Sequence, residues 1–204
     1  MIKAVIFDLN GVFLESEYLS KRFELKFGVN ADRFISALQE VMEAVRKPGA
    51  PKAYDLWRPY LHNWGIDVTE EDFFNFWFSG EKLNNKLADF ARELKKKGLA
   101  IFILSNNFRE RTTYYREKFP DLFSIFDGVY FSWETGYVKS QPQAYKHVLE
   151  INRLMPGECI FFDDSEKNVQ LAKSLGLHAR RFEGLQAAKE AIRQLTKDCT
   201  GQTT

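Results

Sequence analysis

Short apolar runs recur along this chain, each followed by an amphipathic stretch, and that alternation constrains the fold more than any other feature. The runs are Ala4 to Phe7, Leu99 to Leu104, Gly128 to Phe131, Cys159 to Phe162 and Leu177 to Phe182. That alternation is the signature of βαβ units and of a parallel sheet buried on both faces. The segments Glu81 to Lys97, Phe108 to Phe119, Gln143 to Leu154, Ser165 to Leu175 and Leu185 to Leu195 read as those helices, punctuated by Gly, Pro, Ser or Asn. The expected fold class is α/β, a doubly wound, Rossmann-like parallel sheet.

One interval breaks the rhythm. From Glu15 to about Gly80 there is no strand-like run, only helix-like segments separated by Gly28-Val29-Asn30, Lys47-Pro48-Gly49-Ala50-Pro51 and Gly65. The chain therefore divides into a core of residues 1–14 and 81–197, a small all-helical insert of residues 15–80 after the first strand, and a polar, disordered tail of residues 198–204. Aromatics crowd the second half of the insert, among them Tyr54, Trp57, Tyr60, Trp64, Phe73, Phe74, Phe76, Trp77 and Phe78. They read first as the core of a small helical bundle, which can also serve as a lid over a strand end.

Composition narrows the partners. Lys+Arg 29 against Asp+Glu 28 leaves a net charge of +1, with no basic excess to favour nucleic acid or an anionic membrane. The two cysteines, Cys159 in an apolar run and Cys199 in the polar tail, suggest neither a disulfide framework nor a thiolate metal site. The apolar N-terminal run is broken at Asp8, too short to span a bilayer, and lacks a cleavage site of the signal-peptide kind. A cytoplasmic protein with a small-molecule partner is expected, as a monomer or a homodimer joined through exposed aromatics of the insert.

Ligands of parallel α/β sheets bind beyond the carboxyl ends of the strands, so the polar residues that follow each run belong together. They are Asp8-Leu9-Asn10-Gly11-Val12, Ser105-Asn106-Asn107, Gly136-Tyr137-Val138-Lys139 and Asp163-Asp164-Ser165. Singly, each has a plain structural reading: a strand-end turn, a helix cap, a solvated lysine, a helix N-terminus. Jointly, a carboxylate, a hydroxyl, a lysine and a carboxylate pair in one mouth would bind a divalent cation together with a phosphate.

These segments, in this order and with a helical insert after the first, resemble the haloacid dehalogenase-like hydrolase superfamily, in the branch with a helical cap. The resemblance runs from Ile2 to about Gln194 and is strongest to small sugar-phosphate phosphatases and the phosphatase domain of soluble epoxide hydrolase. It implies that Asp8 is the nucleophile that forms an aspartyl-phosphate. It implies that Mg²⁺ is held by Asp8, the backbone carbonyl of Asn10 and Asp164, with Asp163 acting behind them or through water. Lys139 would steady the nucleophile and the phosphoryl oxygens, Ser105 would donate to phosphate, and Asn106 would help to orient phosphate or substrate.

The sequence departs from the pattern at Asn10, where most such phosphatases carry an acid-base aspartate. An amide cannot transfer a proton, a function typically worth ~10²–10⁴-fold. The resemblance therefore implies a Mg²⁺-dependent phosphatase of a small phosphorylated metabolite, sugar phosphates included, impaired toward poor leaving groups. Two other readings compete with it. A 2-haloacid dehalogenase needs no such acid, and a non-catalytic phospho-ligand-binding protein needs no turnover. The Lys139-Ser140 pair stands where Lys-Pro is usual, and Asn168 where a further carboxylate is common.

Overall fold

The computed structural model describes residues 1–197; the tail expected to be disordered, with Cys199, lies outside the described residues. The chain begins with β1 (Ala4–Phe7) and β2 (Leu14–Ser16), followed by α1 (Leu19–Phe27), α2 (Ala31–Val45), α3 (Ala53–Asn63) and α4 (Glu70–Phe78). It continues through β3 (Glu81–Leu83), α5 (Asn85–Lys96), β4 (Ala100–Ser105), α6 (Arg109–Lys118), α7 (Pro120–Phe123), β5 (Gly128–Phe131) and α8 (Ser132–Thr135). The last elements are α9 (Pro142–Ile151), β6 (Cys159–Asp163), α10 (Glu166–Ser174), β7 (His178–Arg181) and α11 (Leu185–Lys197). No helix among the described residues is long and apolar enough to cross a membrane.

The core is a five-stranded parallel sheet in the order β5-β4-β1-β6-β7. Successive residues of β1 face opposite sides, as the two-residue period of a strand requires. Val5 and Phe7 join a cluster with Leu87, Ala91 and Leu94 of α5 and Ile192 of α11. Ala4 and Ile6 pack instead with Tyr145 and Val148 of α9 and Val169 and Ala172 of α10. Helices on both faces explain why the runs of β1, β4 and β6 are almost wholly apolar, whereas the edge strand β7, reading HARR, carries exposed arginines. Because β1 lies between β4 and β6, the chain leaves it in opposite directions, and the crevice at its carboxyl end is the natural ligand position.

The residues between β2 and β3 form a bundle with its own core. Its helix starts are set locally: the Asn30 side chain accepts from the backbone N–H groups of Asp32 and Arg33, and Thr69 accepts from that of Asp72. Trp57 sits fully buried at the centre, stacked on Phe34 at 5.3 Å and edge-on to Trp77 at 5.8 Å. The aromatic crowding is thus mostly internal packing, with Trp57, Phe73, Phe74, Trp77 and Phe78 all buried. Trp57→Ala is expected to cost about 3–5 kcal/mol, read as a lowered urea midpoint, because no neighbour can collapse into so large a void.

The junction of bundle and core corrects one sequence expectation, and the end of α9 corrects another. Glu81 to Leu83, expected to open a helix, is a strand paired antiparallel with Leu14–Ser16, with Leu14 opposite Leu83 and Ser16 opposite Glu81. The helix starts at Asn85, behind an Asn84 side chain that accepts from the backbone N–H of Leu87. A ribbon of three-residue strands is too short to show a period, and here pairing overrides helix propensity. The helix expected to reach Leu154 stops at Ile151, where Arg153 adopts a φ of 53° and turns the chain. The short α7 and α8 were not expected from the sequence.

Candidate active site

The carboxyl ends of β1, β4 and β6 bring Asp8, Ser105 and Asp163 into one mouth, and the loop after α8 delivers Lys139 there. Lys139 Nζ lies 2.6 Å from Asp8 Oδ2 and 2.6 Å from Asp163 Oδ2. All three groups are buried. Burial raises the pKa of Asp8; Lys139 opposes that rise and Asp163 adds to it. For Lys139, burial acts to lower the pKa, but the charges of Asp8 and Asp163 outweigh it and hold the ammonium form.

The lysine loop is anchored from both sides. The Lys139 backbone N–H donates to Asn106 Oδ1 at 2.8 Å, and the Tyr145 hydroxyl donates to the Lys139 carbonyl at 2.9 Å. These anchors position a loop that lacks the usual proline after its lysine. Asn106, expected from the resemblance to orient phosphate or substrate, thus spends its carbonyl oxygen on the loop. Ser105 Oγ is buried at the carboxyl end of β4 and has no hydrogen-bond partner among the described residues. A buried hydroxyl left without a partner is costly, and an acceptor brought by a ligand would relieve that cost.

Asp8, Asp163 and Asp164 each present a carboxylate oxygen, and these oxygens lie within 4.8 Å of one another. Asp163 is the most committed of the three: its Oδ1 accepts from the Ser165 backbone N–H at 2.9 Å and from Asn168 Nδ2 at 3.0 Å, while Oδ2 faces Lys139. Asn168 thereby replaces a further carboxylate with a donor that fixes the existing one. Asp164 is exposed and lies over Gly11, where a Cβ would stand 2.4 Å from Asp164 Oδ2. Gly11 also has a φ of +79°, so only glycine serves there. An all-oxygen donor set of this size fits a small, hard dication.

Asn10 does not stand alone. Its Oδ1 accepts from Asn107 Nδ2 at 2.9 Å and its Nδ2 donates to the Tyr115 hydroxyl at 2.6 Å. Tyr115 in turn donates to Glu81 Oε2, and the other oxygen of Glu81 pairs with Arg111 at 2.6 Å.

The sequence reading placed Asn107 in the strand-end segment Ser105-Asn106-Asn107 without a role of its own and did not single out Tyr115, Glu81 and Arg111. A signal was available for two of them: α6 reads RERTTYYREK, with no aliphatic residue, so its inward face has to be polar or aromatic. Arg46, which follows α2, is a further addition. Its Nε is buried without a partner among the described residues, and its pKa is lowered, by burial first and then by Arg111, with Asp8 opposing. With Asn106, Val138 and Ser140 it lines a cleft of about 550 Å³ between the helical bundle and the core.

Residues 2–176 match the haloacid dehalogenase-like hydrolase family. The chain belongs to that family. Among relatives of this hydrolase, the bifunctional epoxide hydrolase 2 of Rattus norvegicus is 28% identical over 109 residues, 52% of this chain and 20% of the relative. The D-ribitol-5-phosphate phosphatase of Bacteroides thetaiotaomicron is 24% identical over 186 residues, covering 86% of this chain and 89% of that protein. The hydrolase spans between about a fifth and a third of the length of the epoxide hydrolases it matches. Its fold is also that of a haloacid dehalogenase family enzyme from Bacteroides thetaiotaomicron, with a TM-score of 0.77 at 23% identity over 88% of this chain and 93% of that one. That enzyme's wild-type form, solved with magnesium and inorganic phosphate, aligns with a TM-score of 0.74 at 21% identity, covering 89% of this chain and 94% of its own.

Proposed function

We propose that this hydrolase is a Mg²⁺-dependent phosphatase acting on a small phosphorylated metabolite through an aspartyl-phosphate on Asp8. The observation that carries the reading is the pairing of Asp8 with a buried Lys139 beside an unpartnered, buried Ser105 hydroxyl. A carboxylate attacks a phosphate dianion only where cations offset the repulsion, and phosphoryl transfer gains most of its rate from such positioning. The relative that acts on D-ribitol 5-phosphate and the structural neighbour that holds magnesium and phosphate support the same chemistry.

In this reading Asp8 supplies the attacking oxygen, and the backbone N–H of Leu9, 2.7 Å from Asp8 Oδ1, orients it. Lys139 screens the approach of the phosphoryl group, and Ser105 donates to one of its oxygens. Asp8, Asp164 and the Asn10 carbonyl hold Mg²⁺, with Asp163 steadying Lys139 behind them. The ion, when bound, neutralises charge on the phosphoryl oxygens. The helical bundle acts as a cap, and Arg46 brings a cation from it to the cleft. The cluster of carboxylates favours cation and phosphate over dehalogenation, where it would only repel the attacking carboxylate.

Phosphate release from 4-nitrophenyl phosphate tests the reading. Release that requires Mg²⁺ and is absent from Asp8→Ala is the expected result. Release that needs no Mg²⁺, or that persists in Asp8→Ala, would overturn it.

A further inference from the structure

The hydrogen bonds around Asn10 can be followed proton by proton. Asn107 Oδ1 accepts from the Phe108 backbone N–H at 3.1 Å, so Asn107 presents its NH₂ to Asn10. Asn10 therefore turns its oxygen toward Asn107 and its own NH₂ toward Tyr115. The Tyr115 oxygen accepts that bond, which leaves its single hydrogen for Glu81. Glu81 is ion-paired with Arg111 through its other oxygen and is acceptor-only. Each polarity follows from the one before it, beginning at a backbone N–H whose direction is not open to choice.

An ionised carboxylate at position 10 would break this chain at Tyr115. One of its oxygens could still accept from Asn107, but the other would face a phenolic oxygen whose hydrogen is already given to Glu81. Tyr115 is fully buried, so no solvent relieves the conflict. A protonated carboxyl there would spend its only hydrogen on the Tyr115 oxygen. We infer that position 10 is built as an amide, and that this enzyme takes substrates whose leaving group departs as a stable anion: acyl phosphates or phosphoanhydrides. The inference rests on Asp8 being the nucleophile. The Asn10 amide can donate a hydrogen bond to a departing oxygen, but it has no proton to surrender.

The chemistry balances without an acid. An Asp8 oxygen bonds to phosphorus as the bond from phosphorus to the leaving oxygen breaks, and that oxygen keeps the electron pair and leaves as a carboxylate or phosphate. Water then bonds to phosphorus, the electron pair of the bond to Asp8 returns to the Asp8 carboxylate, and both water protons leave with the product as dihydrogen phosphate. An alkoxide leaving group would need the proton that Asn10 cannot give.

The test compares Mg²⁺-dependent kcat/KM for acetyl phosphate, pyrophosphate, glycerol 3-phosphate, phenyl phosphate and 4-nitrophenyl phosphate. Acetyl phosphate or pyrophosphate is expected to exceed glycerol 3-phosphate by about 10²–10⁴-fold, the usual worth of a general acid. The first two separate the acyl from the anhydride source, and the aryl pair reads leaving-group dependence at nearly constant shape. Glycerol 3-phosphate within tenfold of the better of acetyl phosphate and pyrophosphate would overturn the inference while the phosphatase reading stands. No release from any of the five would overturn the phosphatase reading itself. Independently of turnover, Asn10→Asp is expected to lower the Tm by about 5 °C through the unmatched pair at Tyr115. An unchanged or higher Tm would show that the network accepts a carboxylate and would sink the inference.

Discussion

Asp8→Asn is expected to abolish phosphate release, by on the order of 10⁴-fold or more, without destabilising the protein. The loss follows from removing the attacking oxygen, and neither neighbouring carboxylate can substitute: Asp163 has both oxygens committed and Asp164 faces solvent over Gly11. Stability moves the other way. Burial raises the Asp8 pKa more than Lys139 lowers it, so the folded state binds this proton more tightly than the unfolded chain does. Ionisation of such a group opposes folding at every pH above the ordinary carboxylate range, and asparagine removes that opposition. With divalent cations chelated, the Tm at pH 7 should therefore be equal or higher in the variant, and the difference should vanish below about pH 4, where Asp8 is protonated in both states. A variant that is inactive because it is unfolded would contradict this.

Lys139→Met is expected to be the most damaging single change to the core, at about 3–5 kcal/mol, or a Tm lower by roughly 6–20 °C. The side chain is buried, and its ammonium is the shared partner of two buried carboxylates at 2.6 Å each. Removing it leaves Asp8 and Asp163 with uncompensated charge, and only Asp163 keeps other donors, from Ser165 and Asn168. Because Asp8 is the poorly compensated member, adding Asp8→Asn to Lys139→Met should return a large part of the lost stability. A strictly additive pair would show that Lys139 does not stabilise Asp8, and both roles assigned to it would fail together.

The correction at the junction of bundle and core bears on the site. Glu81 was legible only as the first residue of a helix, yet it sits in a strand and anchors both Arg111 and Tyr115. The strand that follows the bundle thus feeds into the network that orients Asn10. Arg111 and Tyr115 lie one helical turn apart on α6, a spacing that put them on one face but named no partner. Their partner comes from a segment remote in sequence, and nothing local to either residue announces it.

Local sequence was sufficient for what depends on local periodicity. The five apolar runs became the five strands of the sheet, and the alternation along Ala4 to Phe7 distributes side chains to both faces because a strand has no other way to place them. The polar residues at the strand ends converge for the same reason, since parallel strands share one carboxyl edge. Tertiary structure alone decided how those residues are spent. It set Lys139 between two carboxylates, left Ser105 without a partner, turned Asn106 to the lysine loop and closed Asn10 into a chain of hydrogen bonds ending at Arg111. Those choices depend on contacts between residues far apart in sequence, where burial makes each unpaired donor or charge expensive, and no window along the chain contains that cost.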